Sequence, residues 1–278
     1  MNIIKLAAFA DQNTGGNPAG VALLNKLPAS EKMQAVAAEV GFSETVFAEM
    51  LADKSQWRVR YFSPESEVAF CGHATIALGA ALASEHGNGR YQLTLNDAVI
   101  TVEGKSDLAY PAATLQSPPT NHSILDDVEV DATLALFGYQ RSQLSDYIAS
   151  AKIHGGANHY LIMLKSREDL AAMTYQLDEG REFMRSRGLV TIMFAVAAEN
   201  NTFHVRNAFA SGGVLEDPAT GAAAAAFAGY LRDSEALQIG TIEIVQGEDM
   251  GARSLITANC TGRKGDSIRI SGATRALD

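Results

Sequence analysis

Val59-Arg60-Tyr61-Phe62-Ser63, leading through Glu67 and Phe70 to Cys71-Gly72-His73-Ala74-Thr75-Ile76-Ala77-Leu78-Gly79-Ala80-Ala81-Leu82, is the stretch whose reading decides the fold. It reads as a strand, a polar loop, and then a glycine opening a helix made of small and apolar residues. A helix that is apolar on every side is a buried one. The same order returns as Val205-Arg206-Asn207-Ala208-Phe209, then Glu216-Asp217-Pro218-Ala219-Thr220-Gly221, then Ala222 to Ala226, Phe227 and Leu231. The second loop is longer by roughly three residues and the identity is low, yet the device is the same, and an internal repeat predicts two similar halves.

Outward from these helices the pattern is mostly strand: Trp57 to Phe62, Tyr91 to Leu95, Val99 to Val102, Tyr160 to Leu164, Leu189 to Val196, Thr202 to Val205 and Thr241 to Val245. Amphipathic helices fit Ser30 to Val40, Asp131 to Phe137 and Asp169 to Leu177. Gln116-Ser117-Pro118-Pro119-Thr120-Asn121 is the linker candidate, because adjacent prolines end regular pairing. The expected division is an N-terminal lobe of 1–116, with 266–278 a candidate completion, and a C-terminal lobe of 117–265. Each is expected to be a curved sheet wrapped on one buried helix.

A chain of 278 residues with 47% hydrophobic and 19% charged residues is an ordinary globular composition. The formal net charge of −10 disfavours nucleic acid and anionic membrane surfaces as partners. No apolar run is long enough to span a bilayer. The start, MNIIKLAAFADQNTGG, has too short an apolar stretch for a signal peptide, so a cytoplasmic location is expected. Cys71 and Cys260 belong to no paired Cys-x-x-Cys array and the six histidines form no metal-binding motif, so neither metal nor cofactor is expected.

Four segments can carry chemistry, and each also has a plain structural reading. Gly15-Gly16-Asn17-Pro18-Ala19-Gly20 lets backbone approach a ligand closely, with Asn17 able to hydrogen-bond a carboxylate or its own turn, or it is a plain turn. In Gly41-Phe42-Ser43-Glu44-Thr45-Val46-Phe47 one carboxyl sits among apolar and hydroxyl residues where a helix gives way to a strand. It is either a shielded proton carrier or a surface glutamate. The helix openings Cys71-Gly72-His73 and Thr220-Gly221-Ala222 present backbone N–H groups and the positive end of a helix dipole, an anion site or simply close packing. Glu216-Asp217-Pro218 puts carboxylates before the second helix, as a cap or as a reacting group. His73 is either a proton shuttle or a satisfied core histidine.

Taken together, Gly16-Asn17-Pro18-Ala19, Met33-Gln34 leading to Ser43-Glu44-Thr45, Phe70-Cys71-Gly72-His73-Ala74-Thr75, Glu216-Asp217-Pro218-Ala219-Thr220-Gly221, Gln246-Gly247 and Met250-Gly251 resemble, in order, the motifs of the PhzF (phenazine biosynthesis-like) family, related to diaminopimelate epimerase. The resemblance implies an α/β fold of the diaminopimelate-epimerase type: two pseudo-symmetric, barrel-like lobes, each with a central helix, the active site between them, and a homodimer. It implies a cofactor-independent isomerase that moves a proton on a small carboxylic acid. Glu44 takes the proton-carrier role, with His73 and Asp217 as further catalytic groups, and Asn17, Ser43, Cys71, Gly72, Thr220, Gly221 and Ala222 as substrate-binding positions.

Two departures bear on the substrate and the mechanism. Many relatives carry a serine where this chain has Ala222, which argues against the phenazine precursor itself as substrate. A two-thiol epimerase needs a cysteine before each helix glycine, and here Cys71 is matched by Thr220, whose hydroxyl is a poor base. Epimerisation or racemisation of an amino or hydroxy acid, and acid binding without turnover, remain the alternatives.

Overall fold

A helix with no polar side needs a wall on every side, and a sheet closed on itself supplies one. The computed structural model describes residues 1–236 and 240–278, and its chain divides into two units, Met1–Gln116 with Ser271–Asp278, and Ser117–Ile270.

The first unit contains β1 (Ile4–Ala8), β2 (Asn17–Leu24), α1 (Ser30–Val40), β3 (Glu44–Met50), β4 (Gln56–Phe62), the short β5 (Glu67–Val68), α2 (Gly72–His86), β6 (Gly89–Thr94), β7 (Val99–Lys105) and most of β8 (Ala112–Pro119), which crosses into the second at Ser117. The second contains β9 (Asn121–Ile124), α3 (Asp127–Phe137), β10 (Ala151–His154), β11 (Asn158–Met163), α4 (Arg167–Ala171), α5 (Leu177–Ser186), β12 (Thr191–Ala197), β13 (Thr202–Ala208), α6 (Gly221–Asp233), β14 (Thr241–Gln246) and β15 (Ser254–Asn259). The last strand, β16 (Ser267–Ala276), begins in the second unit and ends in the first.

In the first unit the strands run β1-β2-β3-β4-β6-β7-β8-β16, and β16 pairs back onto β1 with Leu6 opposite Ala276. This closes an eight-stranded barrel. Helix α2 is its filling, buried from His73 through Ala83. Small residues make the fit possible: a Cβ on Gly104 of β7 would collide with the Gly79 carbonyl oxygen of α2. Outside the barrel, Met33 and Ala37 of α1 pack on Ala22, Phe47 and Phe62.

In the second unit the order is β9-β10-β11-β12-β13-β14-β15-β16, and α6 is buried from Ala223 through Arg232. Phe227 of α6 meets Phe203 of β13 edge to face, with ring centroids 4.9 Å apart. Helices α3, α4 and α5 cover a separate layer built on Phe137, Tyr160, Met184 and Phe194. The repeat extends further than the sequence shows. In each unit two strands pair in parallel across outer helices, β2 with β3 across α1 and β11 with β12 across α4 and α5, and two more across the buried helix, β4 with β6 and β13 with β14.

Four sequence expectations differ from the structure. The single helix expected over Asp169 to Leu177 is two, α4 and α5, because Ser166 accepts from the Asp169 N–H and so starts a helix at Arg167, while Met173 and Tyr175 turn inward between them. Helix α3 starts at Asp127 rather than Asp131, capped by the Asp126 carboxylate on the Glu129 N–H. The expected linker Gln116 to Asn121 is largely strand, since β8 continues through Pro119. The backbone that adjacent prolines enforce is extended, hence compatible with a strand. The return into the first unit falls at Ser271 rather than 266, within β16, which runs uninterrupted through the Ser271-Gly272 pair.

Candidate active site

The candidate residues of the first unit converge because two chain turns end at one place. Helix α1 stops at Gly41 in the left-handed conformation (φ 72°), its N–H bonded to the Ala37 carbonyl, and β3 opens three residues later with Glu44. Glu44 lies opposite Ala19 in the parallel ladder. Asn17, buried, begins β2 opposite Ala8. From the other direction, Cys71 in extended backbone caps α2 without a side-chain bond, so Gly72, His73 and Ala74 bring first-turn N–H groups that lack intrahelical acceptors.

His73 is the hub. Its Nε2 lies 3.3 Å from Glu44 Oε2 and 3.3 Å from Ser43 Oγ, and its Nδ1 lies 3.3 Å from Cys71 Sγ. The side chains of His73 and Glu44 are 8% and 18% exposed, so both are largely withdrawn from water yet reachable. A carboxyl and a hydroxyl that meet at one imidazole nitrogen can take a proton, pass it on and return it.

Below the hub, the Thr75 hydroxyl donates to the Cys71 carbonyl at 2.7 Å and accepts from the Tyr61 hydroxyl at 2.7 Å. Burial pushes the Tyr61 hydroxyl well above its ordinary pKa, which keeps it a donor. The loop entering α2 is pinned by Arg60, whose Nε and Nη2 reach Glu67 at 2.8 and 2.5 Å. Those bonds hold the Glu67 carboxyl below the usual range.

The second unit repeats the plan with different chemistry. Arg206 pairs with Glu216 at 2.7 Å and donates to the carbonyls of Ala171 and Met173. At the start of α6 the Asp217 carboxylate accepts from the Thr220 hydroxyl at 2.5 Å. Gln246, fully buried at the end of β14, locks this turn: its Nε2 donates to the Asp217 carbonyl at 2.6 Å and to Thr220 Oγ1 at 3.1 Å, and its Oε1 accepts from the Thr220 N–H at 3.2 Å. Gly221 and Ala222 are the first helical residues, and Ala222 brings no polar side chain.

The structure thus brings together Ser43, Glu44, Cys71 and His73 in one unit, and Asp217, Thr220 and Gly221 in the other. Gln246 and the two arginine–glutamate clamps were not singled out as site residues by sequence reasoning. The clamps had a signal, since both repeats carry Val-Arg before the loop and a glutamate within it. Gln246 stood in the Gln246-Gly247 motif of the resemblance, which assigned it no role, and its partners at Asp217 and Thr220 lie far away in the chain.

No described helix is long and apolar enough to cross a membrane. Residues 6–277 match the family described as phenazine biosynthesis-like protein. The chain is 29% identical over 267 residues to a trans-2,3-dihydro-3-hydroxyanthranilate isomerase of Pseudomonas chlororaphis, covering 95% of this chain and 91% of the relative. It is 31% identical over 296 residues to an uncharacterized isomerase of Mesorhizobium japonicum, covering 98% and 95%. In fold it is similar to a PhzF-family phenazine biosynthesis protein of Bacillus anthracis (TM-score 0.86, 18% identity, 99% and 96% covered). It is similar more distantly to a hydroxyproline epimerase of Agrobacterium vitis (TM-score 0.61, 12% identity, 99% and 88% covered).

Proposed function

We propose that Glu44 is the proton carrier of this chain, an isomerase belonging to the phenazine biosynthesis-like protein family. The observation that carries the reading is the 3.3 Å approach of the Glu44 carboxylate to His73 at the opening of α2, with the Ser43 hydroxyl on the same ring nitrogen. The substrate is a small unsaturated or cyclic carboxylic acid. Its carboxylate is held by first-turn N–H groups, for which the positive helix end is suited. Glu44 removes a proton from a carbon on one face and returns it to another position, and His73 takes part as the adjacent proton store. No cofactor enters this sequence of steps.

The Asp217–Gly221 turn is a second anion-binding element, a reading that the sequence repeat supports. A two-thiol epimerase is the weaker reading: Cys71 stands beside His73, but the corresponding Thr220 hydroxyl is already engaged by Asp217 and Gln246. A homodimer acting in the cytoplasm completes the proposal.

The test is solvent-deuterium uptake into a panel of such acids, including trans-2,3-dihydro-3-hydroxyanthranilate, the substrate named for the Pseudomonas relative. Glu44→Gln is expected to slow uptake by about 10²–10⁴-fold, the usual size of a general acid/base contribution. Equal uptake by the variant and the parent protein removes Glu44 from the mechanism.

A further inference from the structure

His73 meets a different partner on each ring nitrogen. Glu44 Oε2 lies 3.3 Å from Nε2, whereas Cys71 Sγ lies 3.3 Å from Nδ1 and 3.8 Å from Nε2. A carboxylate only accepts, so the proton of the neutral imidazole belongs on Nε2, which faces Glu44 and the Ser43 hydroxyl. Nδ1 is then the bare nitrogen, and the thiol is the donor beside it. Thiol, imidazole and carboxylate in this order make an activated nucleophile: a base next to the reacting group, oriented from behind by a third group. Cys71 also stands immediately before Gly72 at the opening of α2, where the positive helix end favours a thiolate. Ser43 and Phe70, both exposed, flank the cluster, and Cys71 itself is 8% exposed.

We infer that Cys71 is a nucleophilic thiol, activated by His73 and Glu44, and a site of covalent modification by small carboxylic acids that carry an electrophilic carbon. The acid's carboxylate is held by the first-turn N–H groups of α2. In that respect the inference rests on the reading of the site given above, while the reactivity of the thiol does not depend on Glu44 moving a substrate proton. In the reaction the thiol proton passes to His73 Nδ1, and Glu44 stabilises the imidazolium that forms. A sulfur electron pair makes the S–C bond, the bond from that carbon to its leaving group breaks, and the group departs with the pair. The thioether occupies the helix opening, so modification closes the site to substrate. Cys260, in the second unit, is the internal contrast. It is fully buried with its Sγ 3.9 Å from the Ala258 carbonyl oxygen, and burial pushes its thiol up to about 11. The sequence conceals the triad because its carboxylate comes from the start of β3, far from Cys71 and His73 in the chain.

The probe is iodoacetate, with iodoacetamide as its uncharged counterpart, applied to the full-length protein without substrate, and mass spectrometry of peptides locates the label. A free thiol with a pKa of about 8.5 is about 1% thiolate at pH 6.5, so full ionisation offers about 100-fold in rate, part of which the weaker nucleophilicity of a more acidic thiol takes back. Cys71 is therefore expected to react with iodoacetate about 10-fold faster than N-acetylcysteine at that pH. Its preference for iodoacetate over iodoacetamide should exceed that of N-acetylcysteine, and Cys260 should stay unlabelled. His73→Asn brings the rate down to that of the free thiol or below, and Glu44→Gln, which keeps an acceptor but removes the charge, lowers it less. A Cys71 that reacts no faster than N-acetylcysteine, labelling of Cys260 in its place, or a His73→Asn variant as reactive as the parent overturns the inference. Deuterium uptake is read on the same unlabelled preparations. Uptake without a reactive thiol breaks this inference alone, and a reactive thiol without uptake breaks the proton-transfer reading alone.

Discussion

The helix openings at Gly72 and Gly221 are built by the same chain order and finished with opposite chemistry. At Gly72 the surrounding groups are titratable and touch one another through a histidine: Glu44, Ser43 and Cys71 around His73. At Gly221 the turn is tied down by a buried amide, with Gln246 bonded to Asp217 and Thr220. Beneath the first opening, Tyr61 and Thr75 satisfy each other. Beneath the second, the counterpart of Tyr61 is Asn207, fully buried, whose side-chain oxygen and nitrogen have no hydrogen-bond partner among the described residues. The contrast teaches that a duplicated scaffold can specialise: one copy carries reactive groups, while the other holds a rigid backbone turn.

The strongest way to break this comparison is to unlock the second turn. Gln246→Leu removes three hydrogen bonds at once, those to the Asp217 carbonyl, the Thr220 hydroxyl and the Thr220 N–H. A loss of about 3 kcal/mol in urea unfolding is expected. If the variant matches the parent within about 0.5 kcal/mol, Gln246 is not the lock.

A second test uses another histidine. His159, sealed between β11 and β12 with its Nδ1 on the Thr191 hydroxyl, has its pKa pushed down to about 3, by burial first and by His154 in addition. Its folded value lies below the unfolded one near 6.5, so the unfolded chain takes the proton first. Its contribution is complete above about pH 6.5 and is lost as the pH falls toward 3. In that window the term amounts to roughly 1.4 kcal/mol per pH unit. Unfolding measured at pH 6.5 and 5 should show a shallower pH dependence in His159→Gln; an unchanged slope would leave the acid sensitivity to other groups.

The smallest effects sharpen the contrast between Tyr61 and Asn207. Thr75→Val strands the Tyr61 hydroxyl in the core and should cost about 1–2 kcal/mol. Asn207→Leu replaces an amide that has nothing to lose, and its stability should stay within about 1 kcal/mol of the parent or rise. Thermal unfolding of the two variants side by side decides this, and a larger loss for Asn207→Leu reverses the assignment.

Much of the scaffold was legible in the chain. The small-residue runs after Gly72 and Gly221 announced two buried helices, and α1 falls on the span that its amphipathic pattern marks, Ser30 to Val40. The errors fell where a local signal had two meanings. Proline backbone suits both a linker and a strand end, and an amphipathic pattern through Asp169 does not reveal that a serine cap and two inward side chains divide it. Of the candidate site, Glu44 is ordinary by spacing and stands out only beside the two repeated helix openings and through the family resemblance, and Gln246 belongs to a motif that gives it no role.

By itself, the sequence determined the repeated strand–loop–helix device and both the starts and the burial of α2 and α6. These depend on residue size, polarity and period within a few turns of chain. Only the tertiary structure decided which groups meet. Glu44 faces His73 because β3 adds in parallel to β2 with Glu44 opposite Ala19, and Gln246 reaches Thr220 because β14 adds in parallel to β13. Such contacts are set by ladder register between distant segments. A register shift of one residue turns a side chain to the other face of the sheet, and no local pattern in the chain specifies which partner it then finds.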